Sequence, residues 1–357
     1  MLAELDKDPY PLLRELRETE PVCWVPELNA WLVTRYDLAV AVLKDYGTFT
    51  VDDPRFTTAR VTGPSMLSLD GAEHARHRNA FARGLRPAAL NTDFAAAEVT
   101  RLVDEFRADG QAELRRALAG PLAAAVMADV LGLDQPASVV LAWYDEIVSV
   151  VSGLAGSTEG GRYDTPSFWK LKDAIVAAVS GERSALLTAA AGDLATDEVV
   201  ANAAVLLFGG IETTEGMIAN AIAHLLASGE PSVEESLRLE PAAAVVDRYA
   251  TRDTELGGAA IRRGDQVTVS ITGANRDPAT FPGPDVYLPS RPNAGKHLAF
   301  AHGPHFCVGA HLARLETESA LAAIRALPGV RLAAPVQVRG VVFRKPVKLL
   351  VEWDGVI

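Results

Sequence analysis

The feature that most constrains the fold is one long helical pattern, residues 195 to 228, in the second half of the chain. Thr196-Asp197-Glu198 opens it with an N-cap residue and acidic groups in the first turn. Ser228-Gly229-Glu230-Pro231 closes it with a stop signal. The pair Gly209-Gly210 lies near its middle, where each glycine costs about 1 kcal/mol relative to alanine. Either close packing against a neighbouring helix or a function must therefore account for the two glycines.

The remaining patterns predict a mainly α protein with small β-sheets. Residues 72 to 190 are mostly helical by periodicity, with a flexible break at Gly153–Thr165. Thr48–Ser65 is rich in polar residues and predicts a long loop. No linker divides the chain, so we expect a single domain over residues 1–357. Its β-rich parts are expected at residues 22–34 (a hairpin), 248–271 and 338–353.

Charge, cysteine content and hydropathy exclude several classes of protein. The formal net charge of -12 leaves no basic excess to neutralise phosphates, which argues against nucleic-acid binding. Cys23 and Cys307 are the only cysteines, so no disulfide scaffold is expected and a cytoplasmic setting is favoured. Residues 1–8 have neither the basic nor the apolar region of a secretory leader, and no window of about 18 uninterrupted apolar residues occurs, so neither a leader nor a membrane segment is expected.

The loop Phe300–Gly309 is the most informative stretch for function. Cys307 lies just before a helix predicted from Val308 to Leu327, and the positive end of that helix is expected to favour a thiolate. Gly303 and Gly309 allow the backbone to approach a flat ligand. An inert buried cysteine is the ordinary alternative. A zinc site is another alternative, but no fourth ligand with suitable spacing accompanies His302, His305 and Cys307.

The same loop resembles the haem-binding sequence of cytochromes P450. Phe, Gly, His or Arg, Cys and Gly recur there at set spacings, and every position is filled here, by Phe300, Gly303, His305, Cys307 and Gly309. The resemblance implies that the Cys307 thiolate is the axial ligand of haem b iron and that His305 meets a haem propionate. It also implies the cytochrome P450 fold, a triangular helical prism with the haem between the long distal helix and the helix after the cysteine loop.

The middle of the long helix resembles the distal motif of that family. The resemblance implies that Gly209 and Gly210 lie against the haem, that Thr213 hydrogen-bonds dioxygen and that Glu212 relays protons. Neighbouring residues on a regular helix point about 100° apart, so both side chains cannot face one atom without distortion or a bridging water. We therefore expect either a local distortion, which the glycines make easier, or a bridging water at this point.

Three further charged residues resemble the buried structural cluster of the family. Glu235 and Arg238 are three residues apart on a predicted helix, which in isolation is an ordinary surface pair. The resemblance implies that this pair is buried and that Arg291, in the coil before the cysteine loop, completes it. We assign all three residues to folding rather than to chemistry.

The family binds the haem propionates with side chains from several elements. His74 and Arg78 are i,i+4 neighbours on a predicted helix and share one face, although a solvated basic surface is the ordinary alternative. Arg248 occupies another such position of the family. Together with His305, these residues supply four candidate cations for two buried carboxylates.

The resemblance implies a monooxygenase that uses O2 to oxidise a small apolar or amphipathic molecule, such as an intermediate of secondary metabolism. Because the chain shows no flavin or ferredoxin module, electrons are expected from a separate ferredoxin and ferredoxin reductase. The protein is expected to be a monomer whose active-site roof is contracted within residues 153–190. Substrate contacts are expected from the loop Arg60–Met66 and from Val205, Phe208, Gly209, Ala244, Val245, Val246 and Phe343.

Three alternatives are open. A peroxygenase would use hydrogen peroxide, but family members of that type usually lack the acid–alcohol pair that Glu212 and Thr213 supply. Dehydrogenation or oxidative coupling would use the same iron chemistry as hydroxylation. A non-catalytic haem-binding protein would need neither Glu212 nor Thr213.

Overall fold

The computed structural model describes residues 1–153, 163 and 165–355, and it confirms the predicted mainly α fold with small β-sheets. A π-helical turn, Arg115–Ala119, leads directly into one of the central helices. The α-helices of the described residues are α1 Leu2–Lys7, α2 Tyr10–Thr19, α3 Tyr36–Lys44, α4 Thr57–Thr62, α5 Gly71–Ala82, α6 Thr92–Phe106, α7 Gly120–Leu131, α8 Ala137–Gly153, α9 Pro166–Ser180, α10 Ala185–Asp193, α11 Thr196–Ser228, α12 Val233–Leu239, α13 Ile271–Ala274 and α14 Ala310–Arg325.

Short strands form four small sheets in the same part of the chain. The strands are β1 Val22–Val25, β2 Ala30–Val33, β3 Phe49–Thr50, β4 Gln111–Glu113, β5 Val245–Ala250, β6 Thr254–Leu256, β7 Ala259–Ile261, β8 Gln266–Ser270, β9 Arg331–Leu332, β10 Val338–Arg339, β11 Lys345–Pro346 and β12 Leu350–Glu352. The largest sheet has the order β1-β2-β8-β5-β3, in which only β2 and β8 run parallel. The others are β4-β12-β9, β10-β11 and β6-β7.

The long helix α11 is the centre of the helical packing. The helices α4, α7, α8, α9, α10 and α14 all contact it, and buried residues occur on every side. A helix that is apolar all round belongs in a core rather than on a surface. It ends as predicted, with Gly229 in the left-handed region at φ 80°. The predicted N-cap Thr196 is wrong by one residue: Ala195 is the cap, because the Glu198 carboxylate accepts its backbone N–H at 2.9 Å.

The first sixty-five residues confirm one local prediction and contradict another. The hairpin of β1 and β2 has the expected antiparallel register. The long loop predicted at Thr48–Ser65 is wrong, because β3 and α4 lie within it. The residues that α4 buries are mostly polar, so hydrophobic periodicity could not reveal this helix; they are Thr58, Arg60, Val61 and Thr62. Most of the predicted break at Gly153–Thr165 lies outside the described residues.

A buried cluster of charges joins α12 to the coil before the cysteine loop. Glu235 accepts two hydrogen bonds of 2.8 Å from Arg238 and two of 3.0 and 3.1 Å from Arg291. The side chains of Glu235 and Arg238 are fully buried, as the sequence predicts. The other guanidinium N–H groups donate to backbone carbonyls of Asn275, Pro282, Gly283, Pro284 and Val286. These side chains therefore satisfy carbonyl groups that no helix or sheet pairs.

No single helix in the described ranges has both the length and the hydropathy to cross a membrane. Only α9 and α10 meet that test together, and the two are bent by 89°. Both contribute to the main hydrophobic cluster of the protein, through Leu171, Ile175 and Leu187 among others.

Replacing Glu235 by Gln is expected to destabilise the protein by about 3–5 kcal/mol, because two buried guanidinium groups lose their counter-charge. The free energy of unfolding in urea measures this effect. Glu230→Gln removes the same charge at an exposed position and should change stability by less than about 0.5 kcal/mol. Equal stability of the two variants would contradict the assignment.

Candidate active site

The cysteine loop is shaped by backbone hydrogen bonds and by one obligatory glycine. The N–H of Cys307 donates to the carbonyl of Phe300 at 2.9 Å, which closes the loop just before α14. Gly303 has φ +73°, and a Cβ there would lie 2.6 Å from the carbonyl oxygen of Leu43. Only glycine fits this close approach to α3. The Phe300 ring is buried beneath the Arg314 guanidinium, whose Cζ lies 4.5 Å from the ring centre.

The electrostatics of Cys307 correct one expectation from the sequence. Burial raises the pKa of the Cys307 thiol, against the opposing effects of the Gly309 N–H, Arg78 and Arg314. The Gly309 N–H at the start of the helix acts in the predicted direction, but desolvation outweighs it and the nearby cations, so the net effect does not favour the thiolate of the uncoordinated cysteine. A bound metal ion reverses this balance, since coordination deprotonates a thiol.

The four candidate cations lie together beside this loop, and burial acts differently on the imidazoles and the guanidinium groups. His74 on α5 and His305 have ring centres 4.3 Å apart. Burial, His305 and Arg78 lower the pKa of His74 to about 4. Burial also lowers the pKa of His305, although Asp70 opposes that effect. Burial thus disfavours the charged form of both imidazoles, whereas guanidinium groups such as those of Arg78 and Arg248 stay charged at neutral pH.

Asp70 belongs to this cluster, although no motif marked it in the sequence. Its carboxylate accepts hydrogen bonds from the Thr50 hydroxyl at 2.6 Å, the Val51 N–H at 2.9 Å and His305 Nε2 at 2.8 Å. Burial opposes ionisation, but the bonds from His305, Thr50 and Val51 hold the pKa of Asp70 below its ordinary value. Its position before α5 suggests an ordinary N-cap, yet the side chain makes no capping bond. Tertiary contacts alone reveal its role.

Two buried side chains of the cluster lack an anionic partner that a haem would supply. Arg248 is buried and donates to the Asp247 carbonyl at 2.7 Å, but among the described residues no carboxylate lies within 4.0 Å of it. Burial lowers the pKa of Arg248 to about 10. His74 Nε2 is buried without a hydrogen-bond partner. Arg78 donates only to the Phe306 carbonyl, at 2.7 Å. Buried anions are what these groups lack, and the haem carboxylates match that need.

The two glycines of α11 differ in their surroundings. A Cβ on Gly209 would meet no atom within 4 Å, whereas a Cβ on Gly210 would lie 2.4 Å from the Met127 sulfur on α7. Close helix packing therefore accounts for Gly210, and its expected contact with a cofactor is not supported. Gly209 borders open space together with Thr213, one turn later, whose hydroxyl donates to the Gly209 carbonyl at 2.6 Å.

The distal acid and alcohol point to different sides of α11. The helix is continuous from Thr196 to Ser228, without a break at the two glycines. Glu212 is buried, and its Oε1 lies 2.8 Å from Nζ of Lys345 on β11. Thr213 is only half-buried and faces the same side as Gly209. A regular helix accommodates both residues because each has a separate partner.

The expected substrate contacts fall into two groups. The rings of Phe208 and Phe343 lie 5.9 Å apart, and Tyr144 of α8 adds a third ring 6.3 Å from Phe208. The sequence pattern did not identify Tyr144 as a candidate, because an aromatic residue in an apolar helix is usually part of the hydrophobic core. Val205 is buried three residues before Phe208, and Val246 is half-buried on β5. Ala244 and Val245 instead border a small cavity toward the N-terminal helices and hairpin, with Leu13, Leu28 and Val341.

Comparisons with known proteins agree with this arrangement. The family model described as Cytochrome P450 matches residues 230–324. Mycinamicin IV hydroxylase/epoxidase of Micromonospora griseorubida is 34% identical over 95% of this chain and 94% of its own length. Nocardicin C N-oxygenase of Nocardia uniformis subsp. tsuyamanensis is 32% identical over 91% and 90%. The structure of cytochrome P450 CYP109Q5 from Chondromyces apiculatus matches with a TM-score of 0.87 and 25% identity, over 100% of this chain and 97% of that one.

The chain belongs to the cytochrome P450 family. As a cytochrome P450 it is a monooxygenase, and the family implies a haem-thiolate cofactor. The zinc alternative finds no support, because His302, His305 and Cys307 do not come together with metal-ligand spacing among the described residues. In the part of the chain that the structure describes, the one cluster with metal-ligand spacing is Glu73, His77 and Glu198. Its two carboxylates already pair with Arg76.

The two glycines make a matched test of this geometry. Gly210→Ala is expected to destabilise the protein by about 1–3 kcal/mol, because the new methyl group overlaps Met127. Gly209→Ala gains about 1 kcal/mol from helix propensity, as Gly210→Ala does. Its new methyl group has no protein atom within 4 Å. Thermal unfolding of both variants gives the comparison, and Met127→Ala should relieve the Gly210→Ala defect. A Gly210→Ala variant as stable as Gly209→Ala would show that Met127 does not pack against this position.

Proposed function

We propose that this cytochrome P450 hydroxylates or otherwise oxidises a small apolar or amphipathic molecule, an intermediate of natural-product biosynthesis, with electrons from a separate ferredoxin and ferredoxin reductase. The observation that carries the haem assignment lies beside the Cys307 loop: buried Arg248 has no described carboxylate within 4.0 Å, and buried His74 Nε2 has no hydrogen-bond partner. We further propose a single-domain cytoplasmic monomer.

The residues of the cluster would hold haem b in complementary ways. Cys307 would ligate the iron, with the Gly309 N–H donating to its sulfur. Arg78, Arg248 and His74 would bind the two carboxylates, and His305 would do so from its bond to Asp70. Phe300 and Gly309 would shape the proximal side of the site, and Gly209 would leave room on the distal side.

Bound haem supplies the activation of O2, and the chain supplies protons and orientation. The Thr213 hydroxyl is held by the Gly209 carbonyl on the open side of α11. The Glu212 carboxylate, one position earlier, receives protons and passes them toward Thr213 through water. Because the two side chains point to different sides of a regular helix, a direct transfer between them is excluded by geometry. This acid–alcohol pair supports O2 rather than hydrogen peroxide as the oxidant.

The residues around the open side of α11 support a small apolar substrate. Phe208, Phe343 and Tyr144 present a largely aromatic surface, and α4 and α8 both contact α11. Apolar walls with few polar groups are typical of sites for small apolar ligands. Mycinamicin IV and nocardicin C, the compounds named for two relatives, support a natural product as the substrate.

The surface next to Cys307 supports a ferredoxin as the electron donor. Phe306 is 42% exposed and adjoins the half-buried Cys307. Arg78 donates to its carbonyl, and burial and the nearby Lys44 lower the pKa of His302. Although the net charge of the chain is -12, Arg78 and Lys44 give the loop a local positive field that an acidic ferredoxin would recognise.

Cys307→Ala is expected to abolish the long-wavelength Soret band that the reduced, carbon-monoxide-bound wild type shows, because that band requires a thiolate ligand. A difference spectrum measures it. Cys23→Ala removes the other thiol, which is buried in the hairpin strand β1, and should keep the band. Retention of the band in Cys307→Ala, or a wild type that purifies without haem, would refute the assignment.

Arg248→Met is expected to speed haem loss about tenfold or more, since a hydrogen bond to a charged group contributes about 1.5–3 kcal/mol. Transfer of haem to an excess of apomyoglobin measures the rate. Arg262→Met removes the same charge from an exposed turn and should lose haem at the wild-type rate. Equal rates for the two variants would remove Arg248 from the haem site.

A further inference from the structure

A chain of charged side chains links the distal helix to the C-terminal strands. The Nζ of Lys345 on β11 lies 2.8 Å from Glu212 Oε1 and 2.6 Å from Glu215 Oε2. Glu215 Oε1 in turn lies 2.9 Å from Arg115 Nε. The two carboxylates are nearly inaccessible, with 7% and 2% of their side chains exposed. One lysine is therefore shared by two buried acids of the same helix.

The two acids need this lysine for an elementary reason. Glu212 and Glu215 are three residues apart, so they lie on one face of α11, where like charges repel. A buried carboxylate is costly unless a cation and hydrogen bonds accompany it. Arg115 and Arg116 approach Glu215 only, the latter at 4.0 Å. Among the described residues, Lys345 is the cation within 4.0 Å of Glu212.

The backbone around Lys345 is held against α11 from several directions. A Cβ on Gly216 would lie 2.9 Å from Ala242 and 3.5 Å from Lys345 Cβ, so the glycine permits the close approach of β11. Arg115 donates to the carbonyls of Pro346 and Val347, at 3.0 Å each. Asn220 of α11 donates to the Arg344 carbonyl at 3.1 Å. The Lys345 ammonium is thus delivered to Glu212 by a strand with little freedom to move.

We propose that Lys345 is a positioning residue for proton delivery. Its ammonium holds the Glu212 carboxylate at one place beside α11, one position before Thr213, and it acts through Glu212 rather than on substrate or haem. Glu215 and Arg115 keep the ammonium from shifting away. The proposal rests on the relay role of Glu212 proposed above. A lysine that only neutralised two buried acids would stabilise the fold without affecting proton transfer.

The test compares Lys345→Met, Lys345→Arg and the control Lys348→Met in the haem-loaded enzyme. Lys348 is exposed on the same C-terminal segment, and Lys348→Met removes an equal charge. The measurement is the rate of NADPH oxidation in H2O and in D2O, with excess plant-type ferredoxin and its reductase and no added substrate. Since a positioned acid or base contributes about 10²–10⁴-fold to proton transfer, we expect Lys345→Met to lose roughly tenfold in rate. Its solvent isotope effect should rise, and Lys345→Arg should restore both values.

Glu212→Gln separates this inference from the function on which it rests. If Lys345 acts through Glu212, the double variant Glu212→Gln with Lys345→Met is no slower than Glu212→Gln alone. An impaired Glu212→Gln together with an unimpaired Lys345→Met would overturn the role of Lys345 and leave the relay intact. A Glu212→Gln variant with wild-type rate and isotope effect would overturn the relay and this inference with it.

Measurements without turnover complete the test. The carbon monoxide spectrum shows whether each variant retains its haem, and Lys345→Gln replaces Lys345→Met if the latter loses it. The urea midpoint of unfolding measures the interaction between Lys345 and Glu212. Lys345→Met should lower this midpoint less in the Glu212→Gln background than in wild type. Equal losses in the two backgrounds would show that Lys345 does not act on Glu212.

Discussion

The buried carboxylate of Glu235 holds the part of the chain on which the site depends. The coil between α13 and α14 contains little regular structure, so its carbonyl groups have few backbone partners. Arg238 and Arg291, drawn together by Glu235, donate to these carbonyls and are inaccessible to solvent or nearly so. The loop that ends in Cys307 follows directly, and its geometry depends on the coil before it. A charge cluster here replaces the secondary structure that a proline-rich segment cannot form.

Three buried charge clusters of the protein differ in whether they are complete. Around Glu235 each described charge has a partner, which is typical of a structural role. Around Glu212 the acid is paired with Lys345, and the position of that pair beside Thr213 connects it to proton transfer. Beside the cysteine loop, His74 Nε2 is buried without a hydrogen-bond partner, and no described carboxylate lies within 4.0 Å of buried Arg248. This incomplete cluster supports the ligand site proposed above, because buried cations and polar groups are ordinarily paired.

Several properties of the site could not be predicted from spacing. The motifs identified His74, Arg78, Arg248 and His305 as neighbours, but only the tertiary structure shows the burial that lowers the pKa of both histidines. The glycine pair offered packing and function as alternatives, and each explanation applies to one glycine. Asp70 and Lys345 bear on the chemistry through contacts with residues far away in the chain, and neither lies in a recognisable motif.

The sequence by itself determined the helical class, the long central helix with its C-terminal stop, and the identity of the cysteine, since periodicity, capping and motif spacing are local properties of the chain. The tertiary structure alone decided which charges are paired, which are left without a partner and which side of α11 each residue faces. These depend on distances between segments that lie about a hundred or more residues apart, such as Glu212 and Lys345. Desolvation and pairing are properties of such contacts, and no local pattern encodes them.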